Sequence, residues 1–583
     1  MKNIIFHFFT VACLLGHGKS LELQDEVEMS INGSTSNENL ANRIQEFYYA
    51  KNATERNQWS CNICRLVANK GISLQQLGGD KKQICKFASD MCDLFLPNDA
   101  LQCNRYVDNL IDSWMYIVEN KPEIKAESVC RIRMQDKNCF PDSEVNWEIN
   151  IPKGESRALS TAANNKVQYK VLHLTDIHYD PLYKVGANAV CKDVLCCESI
   201  SGTPNAPNEA AGYWGDYHVC DMPWYSIDDL MEQLSQHNFS WVYLTGDLIG
   251  HQIAATSPRI NSDIIKKISQ KLRDTLKNVP VYPILGNHEP NPVDAFSPEI
   301  VTKSTVSTQW LLNVVAEEWA YWLGPDAKTT IRKGGYYSTV IRPGLRVIAL
   351  NSNVCFTNNI WLFYEEGDVF GQLQWLANTL LEAERRNEAV HILAHVPAGE
   401  PTCLKKWNHG YRQIINRFHN TITAQFNGHT HADGLKIFYD SKKQNEVINV
   451  AFNGGSFTTF VGNNPNYKIY DIEGRHGHVS NYKVWMYDLS EANKSGKKPK
   501  WFQLYSFRET FQIDKLNQEG FHELVKKLGS NKQMLETYRR FRSRNGTASL
   551  TRCDVNCLRS LYCEITQTEH EESAQCGQWF KIQ

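Results

Sequence analysis

The spacing of apolar and polar positions changes texture three times along the chain. Between residues 61 and 139 it is helical: Val107, Leu110, Ile111, Trp114 and Val118 fall at i, i+3, i+4, i+7 and i+11 and share one helix face. From about residue 167, short apolar runs alternate with amphipathic stretches such as "SPRINSDIIKKISQKLRDTLKNV" and "GQLQWLANTLLEAERRNEA". That alternation predicts α/β layers. From about residue 500 helical periodicity takes over in "HELVKKLGSNKQMLETYRRFRSR", and the chain closes with "CDVNCLRSLYC" and Cys576, read as a small helical cap tied by disulfides.

The remaining segments are less periodic. "MKNIIFHFFTVACLLGHGKS" carries a lysine, an apolar run from Ile4 to Leu15 and small residues at Gly16 and Gly18, the grammar of a signal peptide over residues 1–20. The run is short of the ~20 residues that span a bilayer. Residues 21–57 read as a loose polar leader, 58–141 as the first helical domain, and 142–166 as a linker. At 583 residues and net charge −2 the chain is long enough for several domains, and no basic block interleaved with aromatics supports a nucleic-acid partner. Eighteen cysteines, one of them Cys13 in the signal, suit an oxidising compartment. There the sequons at Asn32, Asn52, Asn238, Asn493 and Asn545 become glycan acceptors.

Five segments share one design: "KVLHLTDIHY" (170–179), "WVYLTGDLIGH" (241–251), "VYPILGNHE" (281–289), "AVHILAHVP" (389–397) and "TAQFNGHTHAD" (423–433). Each is an apolar run that ends in Asp, Asn or His. In α/β sheets ligands collect at the carboxyl ends of strands, so these termini converge. The converging set is Asp176, His178, Asp247, Asn287, His395, His429 and His431. Two carboxylates, an amide and four imidazoles, with no thiolate, suit two divalent transition metals, with Asp247 as the bridge.

In that order, D-x-H, G-D-x-x-x-H, G-N-H-E, a separate His and G-H-T-H resemble the calcineurin-like metallophosphoesterase family, over residues 167–465, leaving 466–583 as a C-terminal region. The cysteines from "CNIC" to Cys139 resemble a saposin B-type domain. A zinc half-site or a redox pair is the other reading of "CNIC", but no second close pair and no βαβ context accompanies it. With both parts, the mature chain resembles the acid sphingomyelinase family. The resemblance implies a β-sandwich flanked by helices, two zinc ions, and the pairings Cys61 with Cys139, Cys64 with Cys130, Cys92 with Cys103, Cys191 with Cys196, Cys197 with Cys220, Cys355 with Cys403, Cys553 with Cys557 and Cys563 with Cys576. Cys85 is left as the odd thiol.

The resemblance further implies a secreted or lysosomal phosphodiesterase that cleaves sphingomyelin to ceramide and phosphocholine by in-line attack of a metal-bridging hydroxide. The saposin-like domain then meets the membrane lipid. His251 and His288 are the pair from which the leaving group takes its proton; with an ordinary histidine pKa of about 6.5, such a ring is expected protonated at lysosomal acidity. Aromatics in "WNHGY" (407–411) and "NPNYKIY" (464–470) are candidates for a choline pocket. Two alternatives stay open: a related phosphodiesterase acting on nucleotides, and a secreted lipid-binding protein with weak activity. "AHVPAGEPTC" (394–403) carries more polar residues after His395 than the family loop, which bears on access to the site.

Overall fold

The computed structural model describes residues 26–31, 40–49, 52–140, 147–154, 156, 167–443, 445–474, 476–570 and 576–582. The expected signal peptide, Cys13 and the Asn32 sequon lie outside them. Two six-stranded sheets form the centre. One runs β12 (Phe502–Ser506), β11 (Val479–Met486), β10 (Asn466–Glu473), β1 (Gln168–Leu174), β2 (Trp241–Leu244), β3 (Val281–Pro283). The other runs β4 (Tyr337–Arg342), β5 (Leu345–Leu350), β6 (Ala389–Ala394), β7 (Ile422–Asn427), β9 (Val447–Gly454), β8 (Asp433–Tyr439). Strands β1 to β3 are parallel, as are β5, β6, β7 and β9. Parallel strands are buried on both faces; β2 and β6 are buried at every position.

Two boundaries move relative to the sequence reading. The expected division at residue 465 cuts the first sheet, because β10 pairs with β1 over Gln168–His173 and β11 and β12 extend it to the edge. After a helix at Leu489–Ser495 and the strand β12, helix takes over at Phe507 and not at about 500. The polar leader is also more than a loose segment. Its helix α1 (Leu40–Tyr49) and the helical residues 26–31 bury Val27, Ile31, Leu40 and Ile44 against Trp59, Ile63, Met91 and Phe95. A four-residue apolar set is enough to dock a short helix, and a polar average hides it.

The N-terminal module consists of α2 (Ala53–Gln76), α3 (Lys81–Phe95), α4 (Ala100–Asn120) and α5 (Ala126–Arg133). Asp80 and Gln83 form a reciprocal capping box that starts α3. Three disulfides tie it, Cys61–Cys139, Cys64–Cys130 and Cys92–Cys103, and Cys85 stays free and half-buried. The module shares one continuous apolar core with the sandwich. Polar anchors add to it: Arg131 pairs with Glu366 at 2.7 Å, Lys121 donates to the carbonyls of Phe363 and Tyr364, and Asn109 donates to Ile253 O at 3.0 Å. Residues 147–154 of the linker lie against the sandwich, where Asn150 bonds Gln374 and Pro152 O accepts from Arg417. The other five disulfides join the pairs Cys191–Cys196, Cys197–Cys220, Cys355–Cys403, Cys553–Cys557 and Cys563–Cys576.

Candidate metal centre and its cleft

The carboxyl ends of β1, β2 and β3 deliver Asp176, His178, Asp247 and Asn287 from one sheet; those of β6 and β7 deliver His395, His429 and His431 from the other. Five of these seven stand in left-handed backbone conformations: Asp176 (φ 51°), His178 (46°), Asp247 (56°), His429 (67°) and His431 (53°). Such strain in residues with side chains concentrates where function over-determines geometry. Two glycines make the approach possible. A Cβ on Gly246 would lie 2.4 Å from Gly286 N, and one on Gly286 would lie 2.1 Å from the Asp247 carboxylate.

The donor atoms fall into two groups, Asp176, His178, Asp247 and His431 on one side and Asp247, His395 and His429 on the other, each within 4.8 Å. Asp247 is common to both. Asn287 joins the second group, its Oδ1 at 3.0 Å from His395 Nε2 and 2.8 Å from His429 Nδ1, while its Nδ2 donates to Asp294 at 2.8 Å and so fixes which amide atom faces inward. His178 Nδ1 donates to Ile249 O at 2.8 Å and His395 Nδ1 to Thr245 O at 2.6 Å, so each Nε2 turns a lone pair into the cluster. There His178 Nε2 meets His431 Nε2 at 3.0 Å, and His395 Nε2 meets Asp247 Oδ2 at 3.1 Å. With the ring neutral, each Nε2 offers its lone pair to a cation beside two buried carboxylates. The set fits divalent metals of borderline character.

The electrostatics agree. Burial pushes both carboxyls up, yet for Asp247 the neighbouring His395 and His288, and for Asp176 its bonds to His178 and His431, hold each well below the usual carboxylate range. Burial pulls His178 and His395 down, but Asp176 and Asp247 raise both to about 9. A positive charge is thus favoured on the inward face of each ring, the place a metal ion would take.

His251 and His288 line the cleft beside the donors, and the site treats them differently. His251 Nδ1 lies 2.9 Å from the Asp221 carboxylate, its backbone N–H donates to the same group at 2.6 Å, and its ring is stacked between Phe460 (3.8 Å, 4°) and His178 (4.1 Å). Thr458 Oγ1 donates to Asp221 Oδ1 at 2.9 Å. For His288 only the backbone N–H is tethered, to Asp247 Oδ1 at 2.9 Å. Burial lowers His251 to about 4 against the pull of Asp221, and lowers His288 well below the ordinary histidine value. Burial thus disfavours a charge on either ring, a pull opposite to the expectation taken from a free imidazole.

Three functional residues escaped the sequence. Asp221, in "HVCDMPW", follows no apolar run; Phe460 sits in a glycine-rich loop; Glu289 stood in view in "GNHE". Glu289 accepts from Gly286 N (2.5 Å), Leu248 N (2.6 Å) and Asp247 N (3.1 Å), locking the β2 and β3 turns together. The aromatic assignment needs correction. Trp407 and Tyr411 stack on each other inside a helix, Tyr411 bonds Gln425, and Tyr467 and Tyr470 are buried in β10. The cleft, about 550 Å³, is lined instead by Tyr106, Phe356 and Phe460, with Glu400, Pro401 and Thr402 of the 394–403 loop on its rim. Among the sequons Asn52, Asn238 and Asn545 are exposed. Asn493 differs: its amide accepts from Trp214 N at 2.8 Å and donates to Gly215 O at 3.0 Å, and a glycan there would displace that bond.

A second cavity of about 180 Å³ lies between the helical module and the sandwich, walled by Val67, Ile84, Phe87, Leu110 and Trp114 on one side and Ile360 and Phe363 on the other. Tyr106, Asp294 and Asn358 line both this cavity and the cleft.

These features define a metal-dependent phosphoesterase fold, and the calcineurin-like phosphoesterase family matches residues 169–433, which hold all seven donors. Sphingomyelin phosphodiesterase of Homo sapiens is 32% identical over 89% of this chain and 82% of its own, and that of Bos taurus is 34% identical over 81% and 75%. The chain belongs to the sphingomyelin phosphodiesterase family. A cyclic GMP-AMP phosphodiesterase of Homo sapiens, SMPDL3A, is 29% identical over 89% of its own length but only 69% of this chain.

Proposed function

We propose that this chain hydrolyses sphingomyelin to ceramide and phosphocholine, using two zinc ions held by Asp176, His178, Asp247 and His431 and by Asp247, Asn287, His395 and His429. The observation that carries the substrate is the shared wall: an apolar cavity formed largely by the helical module borders the metal cleft at Tyr106, Asp294 and Asn358. A lipid phosphodiester needs both surfaces at once. A nucleotide needs only the cleft; the SMPDL3A relative favours that second reading, but it leaves the cavity without a role.

Bound divalent ions would lower the pKa of water towards neutrality and offset charge on the phosphoryl oxygens. The chain's own part is positioning and proton transfer. Asp247, shared by both donor groups, sets their spacing. His251 presents Nε2 to the cleft because Asp221 holds Nδ1–H and Phe460 fixes the ring plane. A bound phosphodiester anion raises the pKa of that imidazole, so proton uptake accompanies binding and the proton then passes to the ceramide oxygen as the P–O bond breaks. His288, with no side-chain orienter of that kind, bears on the phosphoryl group from the Asp247 side.

The helical module meets the lipid surface. Eight disulfides and exposed sequons at Asn52, Asn238 and Asn545 support a secreted or lysosomal location. No helix among the described residues is long and apolar enough to cross a membrane. The test sets purified protein against sphingomyelin vesicles and a soluble nucleotide diester side by side, with and without chelator. Chelator-sensitive turnover that prefers the vesicles supports the reading; preference for the nucleotide replaces it.

A further inference from the structure

Arg544 belongs to the C-terminal helical region, directly after α6 (Lys532–Arg542), and is 0% exposed. A buried guanidinium is costly to desolvate unless its fork is satisfied. It donates to carbonyls and a hydroxyl on three separate segments: His431 O at 2.7 Å, Asn464 O at 3.0 Å, Ser456 Oγ at 2.9 Å, and Arg542 O at 2.7 Å in its own turn. The contact is returned. Asn464 Nδ2 donates to Arg544 O at 3.0 Å, Asn464 N to Ser543 O at 3.2 Å, and Ala548 N to Gly462 O at 3.0 Å. The two backbones run so close that a Cβ on Gly546 would sit 2.1 Å from Gly462 O.

What this stitching holds is the wall of the cleft. His431 is a metal donor, and the segment from Ser456 to Asn464 carries Thr458, which bonds Asp221, and Phe460, which stacks on His251. We propose that Arg544 is a positioning residue of the catalytic cleft, inserted from the C-terminal region to hold His431 and the 456–464 wall, and through that wall the Asp221–His251 pair, in working register. This rests on the reading of the cleft as catalytic. It gives the last part of the chain, which contributes no metal donor, a defined part in the reaction.

Arg544 has φ 51°, a left-handed conformation that glycine adopts freely, so Arg544→Gly removes the guanidinium without adding backbone strain. In the metal-loaded full chain, kcat of this variant is expected to fall on the order of tenfold to a hundredfold on a soluble phosphodiester, with a smaller change in KM. Millimolar guanidinium ion restores part of that loss and methylammonium does not. Arg544→Lys, which keeps charge but not the fork, stays impaired. An unchanged kcat in Arg544→Gly overturns the proposal, as does a loss that follows the melting curve and ignores guanidinium. Where Arg544→Gly fails to fold, Arg544→Lys decides: near-normal kcat refutes the positioning role. An unsubstituted protein inactive on every phosphodiester counts against the cleft reading itself.

Discussion

The metal cleft and the apolar cavity share a wall at Tyr106, Asp294 and Asn358, yet they are held by opposite means. The cleft is made of polar side chains at 0–4% exposure such as Asp176, His178, Asp247, Asn287 and His395, each tethered by a second polar group. The cavity is made mostly of helix faces tied by three disulfides, and its lining need be no more than apolar and roughly the right shape. A chemical site fails when one tether moves, whereas an apolar surface degrades gradually with the area it offers. That asymmetry orders the expected effects of mutation.

The largest effect falls on the residue common to both donor groups. Asp247→Asn should lower turnover on the order of a thousandfold, equally on vesicles and on a soluble diester. Elemental analysis should show reduced bound metal while circular dichroism stays unchanged. Activity within a few-fold of the unsubstituted protein would remove Asp247 from the centre. Next come the residues proposed to handle the proton. His251→Asn should cost on the order of a hundredfold or more on sphingomyelin, and Asp221→Asn about tenfold to a hundredfold, with smaller losses on an ester whose phenolic leaving group needs no proton. Equal losses on both esters, or lost metal, would make the pair a support for the donors.

The two regions were unequally legible in the sequence. All seven donors follow apolar runs, and the parallel strands gather those ends, so the first layer of the cleft could be read directly. The layer behind could not: Asp221, Phe460 and Arg544 act from loops and from a distant turn, and their partners are set by tertiary approach that no local period records. The left-handed angles at Asp176 and His431 were equally invisible, since nothing but the neighbouring glycines hints at close approach. In the module the stripe from Val107 to Val118 was visible, but its contact with the catalytic domain through Trp114 and Phe363 was not, because a helix face does not declare what covers it. The boundary at 465 failed for a related reason: β10 is an inner strand added late in the chain.

The third prediction tests the apolar side alone. Leu110 and Ile111 line the cavity and contribute nothing to the metal centre. Replacing both with serine, in protein shown to be folded, should reduce hydrolysis of vesicle sphingomyelin by about tenfold, the factor carried by some 1.5 kcal/mol of apolar contact. Turnover of a soluble diester should hardly change. Removing the whole module is a poorer experiment, because Arg131, Lys121 and Asn109 bind it to the sandwich and their loss would disturb both substrates.

The smallest effect separates the two regions by acid. The module contains no histidine between residues 52 and 140, while the sandwich buries several. In His391, Nε2–H donates to Gly477 O at 2.5 Å, and Nδ1 of the neutral ring accepts from the Tyr243 hydroxyl at 2.6 Å. Burial lowers its pKa to about 3, and that of His173 likewise to about 3. Unfolded, each titrates near an ordinary value of about 6.5, so between these limits the unfolded chain binds more protons than the folded one. Stability present above pH 6.5 is therefore lost as pH falls towards 3. Asp294 works in the opposite sense, because burial raises it to about 7 and its contribution is lost as pH rises through that value. The comparison that isolates the imidazole is thus His391→Asn against the unsubstituted protein, not one absolute slope. The variant should start less stable at pH 7 and lose less on going to pH 4.5, and amide protection factors in β6 should fall with acid more than those in α3 of the module. Parallel slopes for the two proteins would mean that His391 takes up its proton without leaving its partners.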